Sequence, residues 1–576
     1  MIRKHHQSQA AAFAAAAVFL VTSCTTPPHG TSSGFVGGQG PEILGVQYAS
    51  TTGNDGYETA EVFLVNRGAA SVTFTNAVLD GVALLGEKDR ASRLAADRFR
   101  FDIGGKKVAA PKPVESETVL WSQFLPDSTL APGAAAVFQI GFRGKAAQSG
   151  GHALALAASD GSVLEARVPR RFPPSRRVTA VAWAEDGSAV TVQFSKGAPP
   201  SALRLNGRSV PFRALAPAVA GRPGAVAADL PEPVRNGDSV LLELDFPAGT
   251  VRAFLRAMPA FAIDAPPHGA DDRQLPAAQR ETFGLDEKRA FTRLPFDVAC
   301  DDTRAGRPGD HAPAVAAARL AAFRADPTRL HGLDFCTALY GSIWNIYAAM
   351  TDVVIVKPYQ LHWGPDPARF IENEISHVDR AVAAAAPKPA VWVPERFKRR
   401  RHLEGREMEI LAWCAALRGV KGVRHHFWLN HPKSPFADCV DIEEALPRLN
   451  RDLAKLRPVL SPLVPASSGT DRRSMVSVLE GWSGDAGALL LVRNMRYATD
   501  EESNDGGRAP RFRVTPSENV AVSYALPPWL DPADPVDPLA DEALPAVRDG
   551  DRLEITLPTL DAFRLVWIPN ARRSGR

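Results

Sequence analysis

Glu395 lies in the run Ala390–Phe397 (Ala-Val-Trp-Val-Pro-Glu-Arg-Phe), an apolar stretch that reads as a short buried strand ending in a carboxylate. An acid there is either available for chemistry or held by a cation as a structural ion pair. Arg396 follows it and favours the ionised form if it turns inward. Asp301 and Asp302 stand just beyond another strand-like run, Thr292–Cys300, and one of the two also suits a cap or an ion pair with Arg304. Lys357, Tyr359 and His362 cluster at the end of Val353–Tyr359, while His426 and Trp428 share one face of Gly422–Leu429. Asp297, Asp301, Asp302, Asp310 and His311 are hard donors of the kind that hold calcium or magnesium, but their spacing matches no motif, so no metal and no cofactor is assigned. Serine-hydrolase elbow, P-loop and His-Glu-x-x-His patterns are absent, and no dinucleotide glycine fingerprint is convincing.

The elements that must carry these side chains change character along the chain. From Pro41 to about Ser175, short runs such as Glu61–Val65, Val72–Thr75, Thr118–Trp121 and Ala136–Phe142 alternate with Gly and Asn/Asp turns, as in a sandwich. A second β series over 176–250 suits a smaller sandwich. After Val251 strand-like runs alternate with helical ones, the βαβ rhythm of a parallel sheet. Its strand candidates are Phe254–Ile263, Thr292–Cys300, Gly332–Thr337, Val353–Tyr359, Val391–Glu395 and Gly422–Leu429. Asp366-Pro367 begins a helix, the Asp as cap and the Pro at the first helical position. Asp441–Arg457 is another, with Leu446, Leu449, Leu453 and Leu456 on one stripe and Pro447 expected in its first turn. Beyond Val464 the pattern returns to β, a C-terminal sandwich over 465–576.

The 576 residues allow several domains, and at 45% hydrophobic and 23% charged the chain can build large cores. A net charge of +3 from 67 basic and 64 acidic residues is no footprint of a nucleic-acid binder, so no nucleic-acid partner is expected. Residues 1–24 form a targeting segment: Arg3, Lys4 and His5–His6, then the apolar Ala10–Val21, too short to span a bilayer. Val21-Thr-Ser-Cys24 resembles the lipobox of bacterial lipoproteins, which implies cleavage before Cys24 and a lipid on its thiol; an ordinary signal peptide cut nearby is the alternative. Either way the chain is expected to be exported, and with the lipid it is anchored to the cell envelope, in the periplasm or at the outer membrane, Thr25 leaning toward the outer. Residues 25–41 are a Thr/Pro/Gly/Ser-rich tether. Cys300, Cys336, Cys414 and Cys439 remain; their mostly apolar settings favour buried thiols over disulfides.

Val298–Gly306, Asp352–Tyr359, Val391–Phe397 and the helix-then-strand Leu411–Leu429, set between β-sandwiches, resemble the multidomain glycoside hydrolases of the retaining TIM-barrel superfamily. That resemblance implies a multidomain α/β plus β protein: a TIM-like (β/α) barrel over 251–464, complete or abbreviated, flanked by N-terminal β-sandwiches (42–175 and 176–250) and the C-terminal one. Counting back from Gly422–Leu429 as strand eight puts Glu395 at the family's nucleophile position and Asp301 or Asp302 at its acid/base position. The Asn-Glu pair usual after strand four is replaced here by Asp301-Asp302, and only about 30 residues separate Phe254–Ile263 from Thr292, little room for strands two and three.

Hydrolysis of a glycosidic bond needs one protonated and one ionised carboxyl flanking it. Trp344, Tyr359, Trp363, Trp392 and Trp428 are candidates to stack on sugar rings, with Lys357 and His426 to bind hydroxyls; each Trp suits a core position equally well. The expected partner is a carbohydrate, substrate or ligand. The chain is expected to hydrolyse a poly- or oligosaccharide, or to bind glycan as a non-catalytic lipoprotein with a degenerate barrel. Lys398–Arg401 is a run of four cations, by default a solvated loop. For the anchor, Cys24→Ser is expected to abolish metabolic labelling with a fatty-acid analogue and to free the protein from the membrane fraction. Labelling that survives the change would exclude Cys24 as the lipid site.

Overall fold

The computed structural model describes residues 40–49, 57–84, 86, 119–143, 151–169, 176–218, 223–264, 277–297, 309, 311–336, 341–358, 366–394, 403–425, 440–471, 473–499 and 512–573. Alternating apolar residues close two sandwiches at the N-terminal side. In the first, Val62, Leu64, Phe138 and Ile140 of one sheet face Phe74, Leu79, Leu154 and Leu156 of the other. The second joins Val181, Val192 and Val226 to Leu203, Leu242 and Leu255. Its last strand, Gly249–Arg256, pairs antiparallel with Ser239–Phe246. The apolar run at Phe254 is therefore split: it ends this hairpin before the first parallel strand, Ala262–Asp264, begins.

The expected TIM-like barrel is not what forms. Of the thirty-four described strands only six make a parallel sheet; the other sheets are antiparallel, so the chain is a β-rich multidomain protein with one curled parallel sheet. The six strands run in the order Ala262–Asp264, Gly422–Arg424, Ala390–Trp392, Val353–Lys357, Leu330–Cys336, Phe291–Asp297. No ladder joins Ala262–Asp264 to Phe291–Asp297 among the described residues. Between these edge strands the only described element is the helix Ala277–Thr282, which supplies no strand to close the ring.

Burial on both faces explains why these strands read as continuous apolar runs. On the concave face Ala262, Phe291, Leu330, Val353, Ile355, Val391 and Val393 share one core with Met258. Gly422 keeps that face tight: a Cβ there would lie 2.6 Å from the Ala262 carbonyl oxygen. On the convex face Ile263, Leu333, Phe335, Val354, Val356, Trp392 and Val423 meet the helices Ala312–Ala325, Gly341–Ala348, Pro367–Ala385, Gly405–Leu417 and Val440–Lys455. The C-terminal sandwich packs the outer side of its larger sheet, Leu479, Leu489, Leu491 and Leu565, against the same helices. Its inner side, Leu490, Val492, Val566 and Ile568, faces Val522, Tyr524, Ile555 and Leu557.

The second sandwich is docked at the amino edge of the parallel strands. Arg256 Nη1 donates to the Arg329 carbonyl at 2.6 Å and to Asp352 Oδ2 at 3.0 Å, and Asn236 Nδ2 to the Ala290 carbonyl at 2.8 Å. Gly237, at φ +87°, abuts Thr328 so closely that a Cβ would sit 2.1 Å from its carbonyl oxygen. Arg319, from the helix Ala312–Ala325, donates to Asp352 Oδ1 at 3.4 Å and to the Pro126 carbonyl at 2.6 Å, tying the first sandwich to the same carboxylate. Burial opposes ionisation of Asp352, yet Arg319, Arg256 and His331 outweigh it and hold its carboxyl far below the usual range. Asp352→Asn leaves two buried guanidinium groups short of their counter-charge. It is expected to cost about 3–5 kcal/mol, read as a fall in thermal midpoint that the exposed Asp549→Asn does not produce.

Candidate functional site

Ligands of parallel sheets bind outside the carboxyl ends of the strands. At the amino ends the second sandwich occupies the space; at the carboxyl ends Asp264, Asp334, Lys357, Arg424 and His425 are buried. There the concave-face residues change from apolar to charged. Asp264 pairs in register with Arg424, Asp297 with Asp334, and Cys336 with Lys357.

Two carboxylates organise the charged layer. Lys357 Nζ and Arg293 Nε both contact Asp334 Oδ2. Burial pushes the Asp334 carboxyl up, but the charges of Lys357, Arg293 and Arg424 prevail and hold it below the ordinary range, so it is ionised at neutral pH. The Arg424 guanidinium lies over the Phe291 ring at 5.4 Å from its centroid. Beside this group Asp264 faces Arg280 Nη2 at 3.3 Å and Arg289 Nε at 3.9 Å. Asp334 Oδ1, Asp264 Oδ2 and Arg280 Nη1 are buried and hydrogen-bond to no other described group.

The neighbouring polar groups are already committed. Asp286 accepts from Arg457 Nη2 and from the Ile263 amide at 2.7 Å; burial, the larger influence, nonetheless raises its carboxyl above the ordinary range. Asn450 Nδ2 donates to the Phe283 carbonyl at 2.8 Å, which turns Oδ1 toward His425. The His425 Nε2–H therefore donates to Asn450 at 2.7 Å, fixing the ring at the end of Gly422–Arg424.

The residues singled out in the sequence divide sharply. Glu395, Asp301, Asp302, Tyr359, Trp363, His426 and Trp428 lie outside the described residues, as does Cys24. Trp344 is 1% exposed and meets Phe335 edge-on at 6.2 Å between ring centroids, inside the convex-face core. Trp392 is fully buried and donates Nε1–H to Glu374 Oε1 at 3.1 Å. Neither ring is available to a sugar in this structure, because each points to the helices and not to the concave face. Lys357 does reach the carboxyl edge, as the partner of Asp334. Among the described residues no three His, Cys, Asp or Glu side chains converge as a metal site. Asp334 itself was missed in the sequence; the signal was a lone acid in the apolar strand Gly332-Leu-Asp-Phe-Cys336, on the alternation that points inward.

No family model and no curated protein matches the chain. Solved structures resemble it weakly, glycoside hydrolases among them. A β-L-arabinopyranosidase from Geobacillus stearothermophilus aligns at 11% identity with a TM-score of 0.30, over 51% of this chain and 60% of that one. An α-fucosidase from Thermotoga maritima aligns at 10% and 0.24, over 46% and 50%. A cycloalternan-degrading enzyme from Trueperella pyogenes aligns at 9% and 0.26, over 89% and 96%. The chain thus spans 60% and 50% of the first two, and a likeness at such scores carries no functional weight.

The role of Asp334 as counter-charge has a pH signature. Its folded pKa is depressed, so its contribution is complete above the ordinary carboxyl value of about 4 and is lost as pH falls through the folded value. Asp334→Asn is expected to cost about 3 kcal/mol at pH 7, with the gap to wild type shrinking below about pH 4. A gap that stays constant down to about pH 2 would contradict an ionised Asp334.

Proposed function

We propose that this is an exported, lipid-anchored protein that binds a poly- or oligosaccharide at the carboxyl edge of its parallel sheet and hydrolyses a glycosidic bond there. Glu395 and Asp302, or Asp301, are the proposed carboxyl pair. The observation that carries the reading is one of topology: Phe291–Asp297 and Ala390–Trp392 are parallel strands of one sheet, so the chain leaves both toward Asp301–Asp302 and toward Glu395 from the same edge. Three interstrand steps separate them, roughly 14 Å along the sheet at about 4.8 Å per step. A glycosidase pair needs about 5–9.5 Å. The curl of the sheet would have to supply the difference.

A second reading is supported by a specific observation. The described acids of this edge, Asp264 and Asp334, are both held in ion pairs, as expected of a surface that binds glycan without cutting it. A panel of glycans and aryl glycosides, offered to the full-length protein in detergent, separates the two. Under the hydrolytic reading Glu395→Gln and Asp302→Asn each lower turnover by at least about a hundredfold, with the thermal midpoint unchanged. Glycan binding without turnover, surviving both substitutions, would transfer the protein to the binding class; neither turnover nor binding would end the carbohydrate reading.

A further inference from the structure

We infer that Lys388 takes carbon dioxide as a carbamate on its side-chain amine, with Glu61 accepting the released proton. The inference lies outside the carbohydrate reading and does not depend on it. Lys388 follows the helix Pro367–Ala385, and its Nζ donates to two carbonyls at the end of the helix Gly341–Ala348, those of Ala348 at 3.3 Å and Ala349 at 2.6 Å. Among the described residues no third acceptor meets Nζ. Two acceptors match the two N–H groups of a neutral amine and leave its lone pair unused, whereas an ammonium has a third N–H to place. The buried Lys421 differs in that respect: it donates to three carbonyls, those of Leu460 at 3.5 Å, Ser461 at 3.0 Å and Leu463.

Lys388 and Glu61 line one cavity of about 40 Å³ where the two N-terminal sandwiches meet these helices, with Arg177 and Arg252 on the side of the second sandwich. At ~10–15 Å³ for each water-sized group it holds about three of them, the size of carbon dioxide and too small for a sugar. Carbon dioxide is also uncharged, so it enters a dry cavity without the desolvation that bicarbonate suffers. Burial lowers the Lys388 ammonium to about 8, against the charges of Glu61 and Asp352 and with that of Arg319. At pH 8 about half of this amine is neutral, where an ordinary lysine at ~10.4 has about one part in 250. Burial also raises the Glu61 carboxyl, against a hydrogen bond from Gln139 Nε2 at 2.9 Å and the charge of Lys388. In the step, the amine lone pair forms the N–C bond, one C–O π pair moves onto oxygen, and an N–H proton passes to the Glu61 carboxylate. Net charge is unchanged: the negative charge moves from Glu61 of the first sandwich to the carbamate on Lys388.

The test uses the full-length protein in detergent, equilibrated with isotopically labelled carbon dioxide. Carbamates are trapped by alkylation with a trialkyloxonium salt and mapped by peptide mass spectrometry. At about pH 8 the label at Lys388 is expected to exceed that at Lys421 and at exposed lysines by about tenfold or more. At constant dissolved carbon dioxide it is expected to fall about tenfold or more by about pH 6. Glu61→Gln, which stands in for the protonated carboxyl, is expected to keep the adduct and to move its onset about one pH unit lower, the amine having lost an anionic neighbour. No label at Lys388, or label no greater than at exposed lysines, would overturn the inference. Loss of the adduct in Glu61→Gln, with the thermal midpoint of the wild type, would overturn the product state in which Glu61 holds the proton.

Discussion

One buried carboxylate sets the relative positions of three bodies. Asp352, at the amino end of Val353–Lys357, takes Arg256 from the last strand of the second sandwich and Arg319 from the helix Ala312–Ala325, and accepts the His331 amide at 2.9 Å. Arg319 continues to the Pro126 carbonyl of the first sandwich, and both guanidinium groups lie beside the Phe323 ring. With Asp352 ionised, the amino edge of the parallel sheet is closed by protein. The carboxyl edge is the end at which ligands of parallel sheets bind. The functional reading rests on that asymmetry more than on any single side chain.

Both edges gather buried cations around carboxylates. At the amino edge two guanidinium groups share one carboxylate, but backbone carbonyls of Gly237, Pro327, Arg329 and Pro126 receive most of their remaining N–H groups. Burial and the neighbouring Arg256 lower the pKa of Arg319, the cost of placing two cations in one dry junction. At the carboxyl edge Arg280 Nη1, like Arg319 Nε at the amino edge, is buried with no hydrogen-bond partner among the described groups.

Much of the local structure was legible in the residues. Asp366 caps its helix by accepting the Ala368 amide at 3.1 Å, with Pro367 in the first turn, as the Asp-Pro dipeptide predicts. The stripe Leu446, Leu449, Leu453, Leu456 is buried as its spacing requires. Pro447 was misplaced: the helix begins at Val440, and burial of the stripe outweighs the hydrogen bond that proline forfeits in its middle. Apolar runs also conceal their pairing partners. Phe254 looked like a barrel strand because a buried antiparallel strand and a buried parallel one share the same composition. Closure of a barrel depends on contacts between distant edge strands, which no local pattern encodes. The direction of Trp392 was open for a similar reason, since alternation gives two faces without saying which is the core. Of the site, Lys357 was visible as a strand-end cation, whereas Asp334 and the arginines around it acquire meaning only when four strands come together.

The central claim is that ligand binds at the carboxyl edge of the parallel sheet. Hydrogen–deuterium exchange on the full-length protein, with and without a glycan that it binds, tests this most directly. The account predicts added protection at Asp334–Cys336, Val356–Lys357 and Arg424–His425, where the strands end. Protection confined to the sandwich sheets, with these strand ends unchanged, would contradict it.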